Sequence, residues 1–337
     1  MPRISIGRTP MLVVAALALV LAAASPVAGA GAGSAAEGSI TGAVRGYRLV
    51  DLGTLGGRIS YATAMNDRGA VVGGSALADD FTFHGFLWRA GKMTDLGLFR
   101  PMDINNKGQI VGTRDDRNGT YLWRAGKLIE LGTLGGAFSS PRAINDRGDV
   151  VGMSDTADGR YVPFLWSRGR MRELPLNSVS DINDKGQVAG GRVHGTGGFH
   201  AMVWHAGKVT DLGAGPFDRS NTYAINARGW VIGWMFSDTQ RERGILWRPR
   251  PWTATDVGTL GGAYTQLKSI NDHGQILGMS QAGDGNEHPV LWRRGVLIDL
   301  TTLGVGANDH IADLNNKGEI ASTIRPEFGV SRAGIYR

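Results

Sequence analysis

The chain has 337 residues, with 36 Lys and Arg against 30 Asp and Glu, and it contains no cysteine. A formal net charge of +6 is small for this length, and the basic residues are mixed with acidic ones, which argues against a nucleic-acid partner. Because no disulfide can form, the fold must be stabilised by packing and by closure of the chain.

The first 30 residues have the pattern of a signal peptide. Arg3 and Arg8 precede an apolar run at 11–24, and small residues follow at 28–30. The run is too short to span a membrane comfortably. We therefore expect a secreted, extracellular protein with no membrane partner after cleavage. Residues 31–44, rich in Gly, Ala and Ser, are predicted to form a flexible leader.

One phrase returns seven times along the rest of the chain. It first appears at 64–73 as A-M-N-D-R-G-A-V-V-G, and successive copies are separated by 38 to 45 residues. Its asparagines are Asn66, Asn105, Asn145, Asn183, Asn226, Asn271 and Asn315. A period of about 40 residues is typical of repeat architectures. The Asn turn with its Gly, followed by small and β-branched residues, predicts a β-hairpin.

Each repeat continues with two further strands, one that typically ends in Leu-Trp and one that ends in Asp-Leu-Gly. The same position is aromatic in all seven repeats, at Trp88, Trp123, Trp166, Trp204, Trp247, Trp292 and Tyr336. One large ring per repeat is predicted to pack between neighbouring sheets. The repeat is therefore four strands long.

The two ends of the chain complement each other. The seventh repeat stops after its third strand, whereas residues 46–53 form a single strand of the Asp-Leu-Gly type before the first repeat. We therefore predict an all-β, seven-bladed β-propeller over 45–337, in which the N-terminal strand completes the last blade. That blade should comprise about 301–337 and 45–53. An open array would need polar capping repeats, and neither end has that character.

Two further motifs carry a family resemblance. The sequences H-G-F-L-W at 84–88 and H-A-M-V-W at 200–204, with D-L-G-T-L-G-G at 51–57, resemble the HAF-repeat family of extracellular repeat proteins. The resemblance covers 46–337 and implies a secreted repeat protein, without implying a reaction or catalytic residues. Blades 2, 3 and 5 depart from the motif, with Gly119, Val162 and Arg243 in place of the His.

The connections between strands predict which face binds. The Asn turns and the third-to-fourth turns are short and uniform, whereas the second-to-third loops differ in length and chemistry. In a four-stranded blade these two classes lie on opposite faces. We predict a binding site on the variable-loop face, near the mouth of the channel. A lack of constraint on those loops is the alternative explanation of their variety.

The inner strands of blades 2, 4 and 7 carry Asp103, Asp181 and Asp313 where the other blades carry Ala or Ser, and Arg114 and Arg192 follow the first two. We assigned these residues to the variable-loop face. Inter-blade ion pairs are the structural interpretation. A polar ligand-binding ring, with a structural or channel-bound divalent cation, is the functional one.

Three histidines begin the third strands of blades 1, 4 and 6, namely His84, His200 and His288. Because these blades are not all adjacent, we predict hydrogen bonds to loop backbone and no shared metal site. His200 is also a candidate for ligand binding. The acid/base candidates are Asp309 and His310 with the nearby Asp313, together with His84 and His288.

Blade 5 carries unusual aromatic residues. Trp234 and Phe236 are candidates for stacking on a sugar ring or a flat ligand, and the alternative is packing against the segment around Trp252. The sequence shows no nucleophile elbow, phosphate loop or cofactor fingerprint. We therefore predict a monomeric binding module for a polysaccharide, peptide or small molecule, with an extracellular lyase or hydrolase as the alternative.

Overall fold

The computed structural model describes residues 46–337, except 117, 196–197, 238–239 and 328. The predicted signal peptide and leader lie outside the described residues. No helix within the described part of the chain is long and apolar enough to cross a lipid bilayer.

The described residues form seven antiparallel sheets of four strands each, which confirms the predicted seven-bladed propeller. Blades 1 and 2 contain β2 (Ser60–Met65), β3 (Val71–Ala76), β4 (Phe83–Arg89), β5 (Lys92–Asp95), β6 (Phe99–Ile104), β7 (Ile110–Arg114), β8 (Thr120–Arg124) and β9 (Lys127–Gly132). Blades 3 and 4 contain β10 (Gly135–Ile144), β11 (Val150–Thr156), β12 (Tyr161–Ser167), β13 (Arg170–Glu173), β14 (Ser178–Ile182), β15 (Val188–His194), β16 (Gly198–His205) and β17 (Lys208–Asp211).

The remaining blades follow the same order. Blades 5 and 6 contain β18 (Arg219–Ile225), β19 (Val231–Ser237), β20 (Gln240–Arg248), β21 (Thr253–Asp256), β22 (Gly261–Ile270), β23 (Ile276–Ala282), β24 (Glu287–Arg293) and β25 (Val296–Asp299), and a short 3-10 helix, Leu300–Leu303, leads onward. Blade 7 contains β26 (His310–Leu314), β27 (Ile320–Glu327), β28 (Val330–Tyr336) and β1 (Leu49–Asp51).

The closure predicted from the chain ends is confirmed. Strand β1 pairs antiparallel with β28, so that Val50 faces Ile335 and Asp51 faces Gly334. Arg48 and Arg337 exchange two backbone hydrogen bonds of 2.8 and 3.0 Å just beyond this ladder. Blade 7 is therefore built from both ends of the propeller, and its β28 has no open edge.

The glycine that ends the phrase, Gly73 in blade 1, is required for steric reasons. The first strand of blade 1 bulges between Ala62 and Ala64, and Gly73 lies opposite. A Cβ atom on Gly73 would lie 1.9 Å from the carbonyl oxygen of Tyr61, which no side chain tolerates. The glycine therefore lets the second strand approach the bulge of the innermost strand.

Each repeat asparagine both caps its own turn and contacts the next blade. The Asn66 Oδ1 accepts hydrogen bonds from the backbone N–H groups of Arg68 and Ala70, and its Nδ2 donates to the carbonyl of Asn105 at 2.9 Å. The turn was predicted from sequence, but the contact between blades was not.

The aromatic residues of the third strands pack as predicted. Trp88, Trp204, Trp247, Trp292 and Tyr336 are buried, and Trp123 and Trp166 are partly buried against clusters of aliphatic and aromatic side chains. The apolar core is thus divided into clusters that lie largely between neighbouring blades.

Candidate functional site

The three channel aspartates lie at the opposite end of the channel from the one we assigned. Each first strand runs from the variable-loop face towards its Asn turn, and Asp103, Asp181 and Asp313 lie two residues before the repeat asparagines. They line a cavity of about 320 Å³ together with the Asn turns. Their placement on the variable-loop face was therefore wrong, because the direction of the first strand puts them near the Asn-turn end.

The interpretation as inter-blade ion pairs is also corrected. Asp103 accepts a hydrogen bond of 2.7 Å from the N–H of Ile104 in its own blade and one of 2.8 Å from the N–H of Ile144 in the next blade. Asp181 bridges blades 4 and 5 in the same way, and Asp313 bridges blades 7 and 1. The partners are mainly backbone N–H groups, and Asp313 also accepts a hydrogen bond of 2.6 Å from the hydroxyl of Ser269.

The arginines of the same hairpins face elsewhere. Arg114 binds Asp116 through Nε and Nη2 at 2.7 and 2.6 Å. Arg192 lies opposite His200 in the β15–β16 ladder. Both therefore belong to the variable-loop end of their hairpins.

The channel wall changes the proton affinity of these acids. Burial, together with the charges of Asp181 and Asp313, raises the pKa of Asp103 to about 8, although the hydrogen bond from Ile144 opposes the shift. Burial also raises the pKa of Asp181 to about 6 and moves that of Asp313 in the same direction. Three carboxyl groups of like charge in one narrow channel thus favour partial protonation.

Among the described residues, the repeat histidines contact carboxylates, and the predicted hydrogen bonds to loop backbone are not formed. His84 Nδ1 lies 2.9 Å from the carboxylate of Asp95, and His200 and His288 make equivalent contacts with Asp211 and Asp299 at 2.9 and 2.7 Å. The carboxylates belong to the Asp-Leu-Gly or related ends of the fourth strands. The prediction failed because the pairing of the third and fourth strands brings these side chains onto one face of the blade.

The same pairing explains one departure from the histidine motif. Arg243 replaces the histidine in blade 5, and its Nη2 lies 2.8 Å from Asp256 of the fourth strand. Histidine and arginine therefore satisfy the same carboxylate position in different blades.

The variable-loop face contains a large cavity at the mouth of the channel, beside blades 6 and 7. Its volume is about 1130 Å³, and its wall includes Arg142, Lys268, His310 and Arg325. Burial and the positive charges of Lys268 and Arg325 lower the pKa of His310. The cavity therefore combines adequate volume for an organic ligand with positive charge on its wall.

Within the described residues, no ion pair is formed by the cations of this wall. Arg142, Lys268 and Arg325 are exposed, and none of them forms an ion pair or a side-chain hydrogen bond with another described residue. The acidic residues of the same wall are engaged elsewhere, since Glu287 accepts a hydrogen bond of 2.7 Å from Tyr264 and Asp309 accepts one from Tyr336.

The acid/base candidates are only partly brought together. His288, Asp309 and His310 line the cavity, but the Asp309 side chain is buried against Tyr336. Asp313 lies in the smaller cavity at the Asn-turn end of the channel. His84 lies in blade 1 and contacts Asp95. Two histidines therefore share the cavity, while Asp309 is bound to Tyr336 and Asp313 lies outside it.

The aromatic residues of blade 5 have separate environments. Met235 is buried in a cluster to which Trp252 contributes, so packing against that segment accounts for this residue. Trp234 and Phe236 are partly buried, and neither is among the residues that line the cavity at the channel mouth. Their role in ligand binding stays a prediction.

Sequence reasoning missed the cationic residues, although one signal was available. Arg142 and Lys268 each lie three residues before the repeat asparagine, at the bulged position of the first strand that lines the channel. Comparing this position across repeats would have shown two cations there. Arg325 belongs to the second strand of blade 7, and no repeat position predicts that it faces the same cavity.

No protein-family model matches the chain, and no curated protein matches it. Among solved structures, it is similar to the β-propeller domain of the trilobed protease from Pyrococcus furiosus, with a TM-score of 0.56 and 12% identity over 82% of this chain and 95% of that one. It is also similar to puromycin hydrolase, with a TM-score of 0.56 and 14% identity over 84% of this chain and 52% of that one.

A third similar structure is the acylaminoacyl peptidase from Pyrococcus horikoshii, with a TM-score of 0.53 and 13% identity over 82% of this chain and 52% of that one. The chain thus spans about half the length of these two hydrolases. At such low identity the likeness shows the β-propeller fold alone, and no activity is transferred with it.

Proposed function

We propose that this protein is a secreted, monomeric member of the HAF-repeat proteins and a binding module for an anionic ligand. The binding site is the cavity at the channel mouth on the variable-loop face. The observation that carries the proposal is the set of three cations, Arg142, Lys268 and Arg325, on the wall of one cavity of about 1130 Å³ without anionic partners among the described residues.

The positive charge on its wall should make the cavity prefer an anionic ligand. Like charges that face a common space repel each other, and a bound anion removes that repulsion while it gains charge-assisted hydrogen bonds. Burial and then the positive charges of Lys268 and Arg325 lower the pKa of His310 on the same wall, which supports a cationic environment there. An anionic group bound near His310 would therefore interact with several cations at once.

The other groups on the wall favour an acidic oligosaccharide among the ligand classes that we predicted. Gln266, Asn286, Asn308 and Tyr223 also line the cavity and offer amide and hydroxyl groups. Sugar hydroxyls need such partners, and carboxylates on the sugar would meet the cations. An acidic peptide or a small carboxylate would offer the same cations a negative charge.

Binding of defined probes tests the proposal. Calorimetry with an oligogalacturonate, its neutral methyl ester and a Glu-rich peptide should show binding of the acidic saccharide and loss of binding on esterification. Lys268→Ala and Arg325→Ala should each lower the affinity about tenfold, since a hydrogen bond to a charged group contributes roughly 1.5 kcal/mol or more. Lys107→Ala, on the Asn-turn face, is the matched control.

Equal affinity of the two cavity variants and wild type for the oligogalacturonate would reject the site. Binding of the peptide alone would keep the site and change the ligand class. Mass spectrometry of the cleaved N-terminus, expected near residue 30, tests secretion separately.

The shared position of His288 and His310 favours one second candidate, an extracellular lyase or hydrolase acting on the same ligand. His310, with its lowered pKa, is neutral at pH 7 and is suited to accept a proton. Incubation with the oligogalacturonate followed by mass spectrometry should then show shorter products. His310→Ala should abolish them while binding persists.

A further inference from the structure

Blade 4 differs from the other histidine-bearing blades in having two histidines at one carboxylate. Asp211 Oδ2 lies 2.9 Å from the Nδ1 of His200 and 3.1 Å from the Nδ1 of His194. The two imidazole rings are stacked, with centroids 4.3 Å apart and planes inclined by 8°. In blades 1 and 6, His84 and His288 contact Asp95 and Asp299, and no second histidine of the described residues joins either cluster.

Three adjacent strands hold this arrangement. Strands β15 and β16 pair so that Arg192 faces His200, and His194 therefore lies on the same face of the hairpin, two residues farther along β15. Strand β17 pairs with the other edge of β16 and brings in Asp211. The three side chains thus converge because of the register of the two ladders. The positions of the histidines in the sequence do not show this convergence.

The distances suit a metal ion. The candidate ligand atoms of His194, His200 and Asp211 all lie within 4.8 Å of one another. Zinc binds imidazole nitrogen and carboxylate oxygen at about 2.0–2.2 Å, so neighbouring ligands of a tetrahedral ion are roughly 3.3 Å apart. The two Nδ1–Oδ2 distances are close to that separation, and the stacked rings must tilt towards each other for both nitrogens to point at one ion.

The surroundings of the carboxylate support the same function. Asp211 Oδ1 accepts a hydrogen bond of 2.7 Å from the backbone N–H of Gly213, which fixes the carboxylate and leaves Oδ2 towards the histidines. Such outer contacts orient metal ligands in known sites. The His194 side chain is 57% exposed, so solvent reaches the cluster and a water molecule could complete the coordination.

We propose that His194, His200 and Asp211 form a site for a divalent transition-metal ion of the zinc type, on the rim of the variable-loop face in blade 4. Two nitrogen ligands and one oxygen ligand select such an ion over calcium or magnesium, which prefer sets of oxygen ligands. The site is separate from the cavity at the channel mouth and does not depend on the proposed anionic ligand.

Calorimetric titration of the metal-free, untagged mature protein with zinc tests the proposal. We expect one zinc ion per chain, and His194→Ala or His200→Ala should lower the affinity at least about 10- to 100-fold. His84→Ala removes the equivalent histidine of blade 1 and should leave zinc binding unchanged. A cobalt titration should show the visible absorption bands of a tetrahedral ion in wild type and in His84→Ala only.

A hydrogen-bonded pair of histidines without metal affinity is the competing outcome. Failure of wild type to bind zinc, or equal zinc affinity of wild type and His194→Ala, would overturn the proposal. Thermal unfolding of each metal-free variant separates loss of the site from loss of the fold, and His194→Ala should leave the metal-free melting temperature nearly unchanged because His194 is exposed. Binding of the oligogalacturonate by His194→Ala should equal that of wild type.

Discussion

The side-chain amide of Asn315 donates a hydrogen bond of 3.3 Å to the backbone carbonyl of Asn66, and this bond joins the seventh blade to the first. Six equivalent bonds, between 2.9 and 3.1 Å, link the other blades in sequence. The seven asparagines therefore form a closed ring of hydrogen bonds at the Asn-turn end of the channel. Aspartate could cap each turn equally well, but it could not donate this bond.

A second ring surrounds the first, and it is broken in blade 5. In six of the seven blades, the residue after the asparagine donates its backbone N–H to the side chain of the corresponding residue in the next blade, as Asp146 does to Asp184. Asn316 also bridges the carboxylates of Asp67 and Asp272 through its Nδ2, at 2.9 Å each. Ala227 has no acceptor for the N–H of Asp184.

We predict that Ala227→Asn stabilises the protein by about 1 kcal/mol. The new amide would accept the N–H of Asp184 and donate to the flanking carboxylates, as Asn316 does in its own place. Urea unfolding should show a higher midpoint with an unchanged m-value. Ala227→Asp is the matched control, since it restores the acceptor but adds a third neighbouring carboxylate and should gain less. A lower midpoint for Ala227→Asn would contradict the model of the ring.

We predict that removal of residues up to 53 destabilises the propeller by about 3 kcal/mol. The truncation deletes the backbone ladder between β1 and β28 and exposes the cluster that contains Leu52. Removal up to residue 45 is the control and should leave the unfolding midpoint unchanged. The shorter chain should also associate through the open edge of β28, which light scattering would detect. Identical midpoints for the two truncated chains would contradict the closure.

The free energy of unfolding should fall as the pH rises from 6 to 8. Asp103 has a pKa of about 8 in the folded protein and an ordinary value of about 3.9 in the unfolded chain. The folded state therefore binds more protons than the unfolded state in this window, and deprotonation lowers stability by about 1 to 2 kcal/mol.

Asp103→Ala should flatten the pH dependence of the free energy of unfolding, even if it lowers stability at every pH. Alanine is the residue at the equivalent position of blade 3, Ala143. Asp218→Ala, at an exposed position, should leave the slope unchanged. Denaturant unfolding at pH 6, 7 and 8 measures all three slopes. A wild-type slope of zero would show that the channel carboxyl is not held protonated.

Affinity for the anionic ligand should rise as the pH falls from 7 to 5. Burial and the charges of Lys268 and Arg325 lower the pKa of His310, so that the ring is neutral at pH 7 and gains a charge only at lower pH. One additional cation near a bound carboxylate should raise the affinity about threefold. Calorimetry with the oligogalacturonate over this range measures the effect, and His310→Ala should remove it. A pH dependence that persists in His310→Ala would assign the titration to another group.

Local pattern was enough to predict the architecture. The strands, the tight turns and the buried aromatic position recur in each repeat, and each depends on interactions within a few dozen residues of chain. The match between the unpaired strand at 46–53 and the incomplete seventh repeat then predicted closure, because a propeller leaves no other partner for either edge.

The contacts that distinguish one blade from another could not be predicted from these recurring local patterns. The direction of the first strand moved Asp103 to the Asn-turn end, and cross-strand register turned His84 towards Asp95. The position of His194 beside His200 depends on the same register. The channel aspartates and the paired histidines each occur in only three of the seven blades, and strand direction and cross-strand register decide what they contact.

The sequence by itself determined how many blades there are, where the ring closes and which aromatic residues form the core, since these properties repeat along the chain. Only the tertiary structure decided that Arg142, Lys268 and Arg325 face one cavity. They come from three different blades, and only closure of the ring brings together charges that lie far apart in the sequence.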